Sequence, residues 1–142
     1  MKSKLNDLKS GYTIDKTEIH IIIQNCCIET WALGNAEIPT EYSSMESSPV
    51  LSEFQAYYDI LVNDPEEMCS CPPGYIFRTK AKFHERYLKE YLKQFGLSYS
   101  KKDPKVVEGK KYLDALKKRC ESMNHLSSLK LLLDIWDRIE TL

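Results

Sequence analysis

The sequence contains five cysteines and three histidines, the residue types best suited to bind a metal ion or to act as a nucleophile. The suggestive arrangements are His20 and two close cysteine pairs, Cys26-Cys27 and Cys69-Ser70-Cys71. Common zinc modules instead separate paired cysteines by two to four residues. Two adjacent cysteines on a helix would also point about 100° apart. The spacing therefore predicts reduced thiols, with no bound metal, no cofactor and no structural disulfide.

An arginine and a histidine lie in the most basic stretch of the chain, RTKAKFHERYLKEYLK, residues 78–93. The spacing of Arg78 and His84 resembles that of small helical ribonucleases of the HEPN class, and the resemblance covers these two residues. It implies that Arg78 would stabilise phosphate charge while His84 transfers a proton during RNA cleavage. The alternative is a hydrogen-bonded core histidine, because His84 lies on an apolar helix face between Ala81 and Leu88.

Five basic residues recur at helical spacing in and around this stretch, and we call them the basic ridge: Arg78, Lys82, Arg86, Lys89 and Lys93. At about 100° per residue they lie away from the apolar face of the predicted helix. Such a ridge can neutralise phosphates along a nucleic acid, and the flanking Phe83 and Tyr87 could stack on bases. These seven residues form the predicted binding site for an acidic protein or a nucleic acid.

The net charge of −1 hides a division between the two halves of the chain. Residues 1–70 carry four lysines and twelve acidic residues, whereas residues 71–142 carry sixteen basic and nine acidic residues. This asymmetry is compatible with a basic surface presented to an acidic partner. It is equally compatible with a structural subunit whose basic half is neutralised by its own acidic half.

Hydrophobic periodicity predicts an all-α fold, with residues 1–142 forming one helical domain of about five helices. The predicted elements are a polar tail at 1–12, helices at 15–33, 48–62, 75–95, 103–122 and 125–142, and surface loops at 35–48 and 63–74. The β-branched run at 19–23 leaves a strand there as an alternative. The apolar face of the third helix consists of Phe77, Ala81, His84, Leu88, Tyr91, Leu92 and Phe95.

The predicted last helix is apolar over more than half of its circumference, through the run LKLLLDIW and Ile139. A helix of this kind is central in its bundle or is covered by a second subunit. The sequence thus predicts a central position for the last helix, or a homo-oligomer formed through it.

Several classes of protein are disfavoured by what the sequence lacks. It has no signal-peptide core, no apolar run of membrane-spanning length, no serine-nucleophile elbow and no H-E-x-x-H motif. We therefore expect an intracellular, cytoplasmic protein without a membrane partner. The favoured function is a non-catalytic helical binding or adaptor module that engages an acidic partner through the basic ridge. The alternatives are the HEPN-like ribonuclease and the self-neutralised structural subunit.

Overall fold

The computed structural model describes residues 19–141, which form six α-helices and no β-strand, so the all-α prediction is confirmed. The helices are α1 (Ile28–Ala32), α2 (Ile38–Glu41), α3 (Pro49–Tyr57), α4 (Lys80–Lys93), α5 (Lys110–Met123) and α6 (Ser127–Glu140). Two 3₁₀ turns lie at Pro65–Glu67 and Lys105–Val107. None of the helices in this part of the chain has the length and apolar character needed to cross a membrane.

The first predicted helix is much shorter than its sequence pattern indicated. Residues 19–27 adopt neither helix nor strand, so both predictions for 19–23 were wrong, and residues 15–18 lie outside the described part. Of the isoleucines at helical spacing, Ile19 and Ile23 are exposed and Ile22 is half-buried, so little packing would stabilise a helix here. Isolated helices are marginal without such packing. Helix α1 forms where Glu29, Thr30 and Trp31 become buried.

Local capping signals place the starts of the middle helices. Ser48 Oγ accepts a hydrogen bond from the Leu51 N–H at 3.1 Å, with Pro49 in the first helical position, as predicted. Helix α4 begins five residues after the predicted position 75, where Thr79 Oγ1 accepts from the Lys82 N–H at 3.2 Å. The predicted helix at 103–122 is divided, because Gly109 has φ of +98° between the 3₁₀ turn and α5.

The two predicted surface loops contain short helical and buried segments. Helix α2 forms a single turn within 35–48, and the 3₁₀ turn Pro65–Glu67 lies within 63–74. Pro65, Glu66 and Met68 are buried, so this second segment is partly a core element.

The centre of the fold is α4, against which α1 and α3 pack. Five residues of its predicted apolar face are buried: His84, Leu88, Tyr91, Leu92 and Phe95. The last helix is not central, which corrects that prediction. Helix α6 packs on α5 and buries Leu129, while Leu131, Leu132, Trp136 and Ile139 remain exposed. The apolar pattern of α6 predicted that α6 would lie at the centre of the bundle. Helix α4 occupies that centre instead.

A close approach between two segments requires glycine at position 34. A Cβ atom there would overlap with Leu126 Cδ1 and lie 2.9 Å from the Trp31 carbonyl oxygen. We expect Gly34→Ala to lower the free energy of unfolding by about 2 kcal/mol, because overpacking a buried contact forces neighbouring atoms to shift. Urea denaturation measures the loss. The Leu126→Ala background should reduce the cost of the added methyl, and equal costs in both backgrounds would contradict the steric cause.

Candidate functional site

The structure places His84 in the core rather than at an RNA-cleaving surface. Its side chain is fully buried, with Nδ1 2.7 Å from Thr30 Oγ1 and Nε2 3.1 Å from the Met68 carbonyl oxygen. Burial lowers the pKa of His84 to about 4, so the ring is neutral near pH 7. Arg78 lies on the exposed segment before α4. His84 is therefore a buried, hydrogen-bonded core residue, as the alternative interpretation predicted, and this placement gives the HEPN-like pairing with Arg78 no support.

The basic ridge is on the surface, but much of its charge is already paired along α4. Lys82 and Lys89 contact Glu85 at 3.0 and 2.7 Å, and Arg86 contacts Glu90 at 2.8 Å. The hydrogen bonds from Lys89 and Lys82 hold the pKa of Glu85 at about 2, so this carboxylate stays charged. Arg78 precedes the helix instead of extending the ridge along it. Two acidic residues thus offset part of the ridge.

The two aromatic residues predicted to stack on bases are core residues, so that prediction was wrong. Phe83 and Tyr87 are buried, and their ring centroids lie 5.1 and 5.4 Å from that of Phe54. The Tyr87 hydroxyl donates to the Tyr58 carbonyl oxygen at 2.8 Å. Helix α3 covers this side of α4, so α4 buries a wider arc than its sequence periodicity indicated.

Ion pairs across the chain join acidic residues of the first half to lysines of the second. Lys101 contacts Glu29 at 3.3 Å, Lys111 contacts Glu41 at 3.1 Å, and Lys118 contacts Glu37 at 2.8 Å. All three lysines belong to α5 or to the segment before it. Within residues 19–141, no ion pair joins the basic ridge to the acidic half.

An apolar groove lies between α1, α5 and α6, with a volume of about 430 Å³. We call it the apolar groove. Its apolar lining comes mainly from Ile28, Trp31, Leu113, Leu116, Leu132 and Leu133. Volumes of this size are typical of sites that bind ligands or anchor side chains. The groove therefore offers apolar contact area that the described chain leaves open.

Two acidic residues, buried Glu66 and half-buried Asp64, hold α6 in the position that forms one wall of the apolar groove. Glu66 accepts hydrogen bonds from Trp31 Nε1 at 2.9 Å, from Ser127 Oγ at 3.1 Å and from the Ser128 N–H at 3.1 Å. Asp64 accepts from the Leu126 N–H at 3.2 Å. These carboxylates satisfy backbone donors at the start of α6 that the helix itself leaves free. Glu66 had been expected at a solvated surface.

One edge of the groove carries positive charge from Lys110. Val107, Gly109 and Lys110 line this edge, and they belong to segment 101–111. The segment contains five exposed lysines, at positions 101, 102, 105, 110 and 111, against two acidic residues. Lys110 forms no ion pair with any other described residue. The groove thus combines an apolar floor with a cationic edge.

Sequence reasoning did not find the apolar groove, although one signal pointed towards it. The broad apolar circumference of α6 indicated surface that something must cover, but the walls from α1 and α5 depend on tertiary packing. The predicted site residues and the groove residues have no member in common. No protein-family model matches the chain, and searches among curated proteins and solved structures find no similar protein.

Proposed function

We propose that the chain is a non-catalytic binding module that holds an acidic amphipathic helix of a partner protein in the apolar groove. The observation that carries the proposal is the open apolar groove between α1, α5 and α6. Binding of a helix in a groove uses apolar anchor side chains spaced three and four residues apart. The ridge on α4 is less suited to this role, because Glu85 and Glu90 pair with three of its members.

The exposed apolar residues of the groove walls support a protein partner. Leu132 of α6, Ile28 of α1 and Leu113 of α5 all line the groove and are exposed. An extended apolar surface of this kind marks interaction sites in folded proteins. These leucine and isoleucine side chains can bury apolar area against the apolar face of a helix.

The charge of the groove edge supports an acidic partner. Lys110 lines the groove itself, and neither Lys110 nor Lys102 forms an ion pair with another described residue. The other three lysines of segment 101–111 are paired with acidic residues. Complementary charge at the rim of an interface speeds association and selects the orientation of the partner. The groove lining contains Lys110 and the Tyr112 hydroxyl as its ionisable groups, so it provides binding contacts instead of an acid and base pair. An intracellular location belongs to the same proposal.

A designed peptide tests the proposal directly. The peptide is a synthetic amphipathic helix with leucines at i, i+3, i+4 and i+7 and glutamates on its polar face. Fluorescence anisotropy should detect its binding, and a counterpart with lysines in place of the glutamates should bind more weakly. Leu132→Glu should weaken binding at least about tenfold, because it places a carboxylate in the apolar groove opposite acidic side chains.

Leu131→Glu is the matched control on the same helix. Leu131 is 45% exposed and Leu132 37% exposed, but only Leu132 lines the groove. The proposal fails if both variants weaken binding equally, or if the acidic and basic peptides bind alike. If the chain dimerises and Leu132→Glu abolishes the dimer, the groove binds a second copy of this chain and not a partner helix. RNA binding lost in the Arg86→Glu, Lys93→Glu double variant would instead assign function to the basic ridge.

A further inference from the structure

Two cysteines that are adjacent in sequence meet a histidine from the central helix. The Sγ atoms of Cys26 and Cys27 and a ring nitrogen of His84 all lie within 4.8 Å of one another. Cys27 is the N-cap of α1 with an extended backbone, at φ of −153° and ψ of 173°. The two cysteines therefore precede α1, and the divergence expected of neighbouring side chains on a helix does not apply to them.

The hydrogen bond at one ring nitrogen determines what the other can do. The Met68 carbonyl oxygen can only accept, so its 3.1 Å contact requires Nε2 of His84 to carry the proton. The lone pair of Nδ1 consequently faces Thr30 and accepts a hydrogen bond from its hydroxyl at 2.7 Å. Histidine ligands of metals are oriented in this way, with the second nitrogen donating to a backbone carbonyl.

The spacing of the three donors fits a small tetrahedral ion. Zn–S and Zn–N bonds of about 2.3 and 2.1 Å place neighbouring ligand atoms roughly 3.5 to 3.8 Å apart. The three donor atoms here lie within 4.8 Å, so a contraction of about 1 Å would close the site. Cys26 and Cys27 are only partly buried, which leaves a path for an ion to enter.

Thr30 connects the three donors and holds them near each other. Its Oγ1 lies 3.4 Å from Cys27 Sγ and accepts from the backbone N–H groups of Cys26 and Cys27 at 3.3 Å each. The hydroxyl can turn from His84 Nδ1 towards a thiolate when an ion takes the nitrogen lone pair. Two thiolates and one imidazole form a donor set that suits Zn²⁺ and not the oxygen-seeking ions Mg²⁺ and Ca²⁺.

We propose that Cys26, Cys27 and His84 bind a zinc ion that joins the segment before α1 to the central helix α4. Binding replaces two thiol protons, which pass to solvent, and it changes no oxidation state. Two thiolate charges then balance the charge of the ion. The fourth position is open to a water molecule or to Thr30 Oγ1. This site is separate from the proposed function, since the apolar groove does not include its three donors.

Metal loading of the full chain tests the site. Protein purified under reducing conditions is stripped with a chelator and then titrated with Zn²⁺ and, separately, with Co²⁺. We expect about one equivalent of tightly bound metal per chain by elemental analysis, and a rise in melting temperature with Zn²⁺ but not with Mg²⁺. Bound Co²⁺ should show the intense visible bands of a tetrahedral site and a thiolate charge-transfer band.

Single cysteine variants distinguish this site from the other thiols. Cys26→Ser and Cys27→Ser should each weaken zinc binding at least about tenfold and remove the thiolate band, because each removes one ligand. Cys69→Ser removes an exposed cysteine outside the cluster and should change neither result. The proposal is overturned if no zinc is retained by the reduced wild-type chain. It is equally overturned if Cys69→Ser lowers the affinity as much as Cys27→Ser does.

Discussion

Replacing Glu66 by alanine should lower the free energy of unfolding by about 3 kcal/mol and loosen α6 from the rest of the fold. The carboxylate accepts hydrogen bonds from Trp31 Nε1, Ser127 Oγ and the Ser128 N–H. Alanine would remove the acceptor of the Ser128 N–H, would leave the Trp31 indole N–H with only its 3.0 Å contact to Ser128 Oγ, and would open a cavity. Chemical denaturation measures the change in stability, and amide hydrogen exchange in the first turn of α6 reports its release.

The neighbouring Glu67 provides the control for this prediction. Glu67 is exposed on the same 3₁₀ turn, so Glu67→Ala should alter stability by about 0.5 kcal/mol or less. Glu66→Gln keeps the shape but points an amide N–H towards groups that are themselves donors. We expect it to be nearly as destabilising as alanine. Equal stability of the Glu66→Ala and Glu67→Ala variants would show that Glu66 does not anchor α6.

Acidification of the metal-free chain should destabilise it between about pH 6.5 and pH 4, because His84 is held neutral in the fold. Burial lowers its pKa from 6.5 to about 4, with Lys80 acting in the same direction, while the Met68 carbonyl and Glu29 oppose the shift. The unfolded chain therefore binds the additional proton in this window, and stability falls as the pH decreases. The full shift in the pKa of His84 corresponds to a loss of about 3 kcal/mol in the free energy of unfolding.

The measurement is denaturant unfolding at several pH values across this window, with a chelator present so that no ion competes for the ring. His84→Gln should flatten the dependence of stability on pH, whatever its effect on stability at pH 7. Proton NMR of the imidazole ring measures the pKa of His84 independently in the folded wild-type chain. A His84 ring that titrates near 6.5 in the folded protein would contradict the prediction.

The helices that the sequence predicted well are those whose signals are local. The capping of α3 by Ser48 and Pro49 and the apolar spacing of Leu88, Tyr91 and Leu92 on α4 depend on residues within two turns of each other. The first predicted helix did not form over 19–27, because Ile19 and Ile23 have helical spacing but remain exposed. Periodicity indicates a possible helix, and packing determines whether the segment keeps it.

The burial of polar and charged residues was the property least predictable from the sequence. Arg119 carries a charge that favours the surface, yet it is buried and donates to the Asn63 carbonyl oxygen at 2.8 Å. Glu66 was assigned to a surface loop, and it is buried as well. Burial of such groups is tolerated only when partners satisfy them. Those partners lie far away in the sequence, so the local pattern carries no sign of them.

The sequence by itself determined that the chain is helical, where most of its longer helices lie and which face of α4 enters the core, because these properties follow from short-range periodicity and capping. Which side chains come together in the apolar groove and in the cysteine and histidine cluster was decided by the tertiary structure alone. Thr30 and His84 are 54 residues apart, and Trp31 and Ser128 are 97 apart, yet both pairs are in hydrogen-bond contact. The apolar groove and the Cys26, Cys27 and His84 cluster exist because packing of distant segments brings together side chains that no sequence spacing relates.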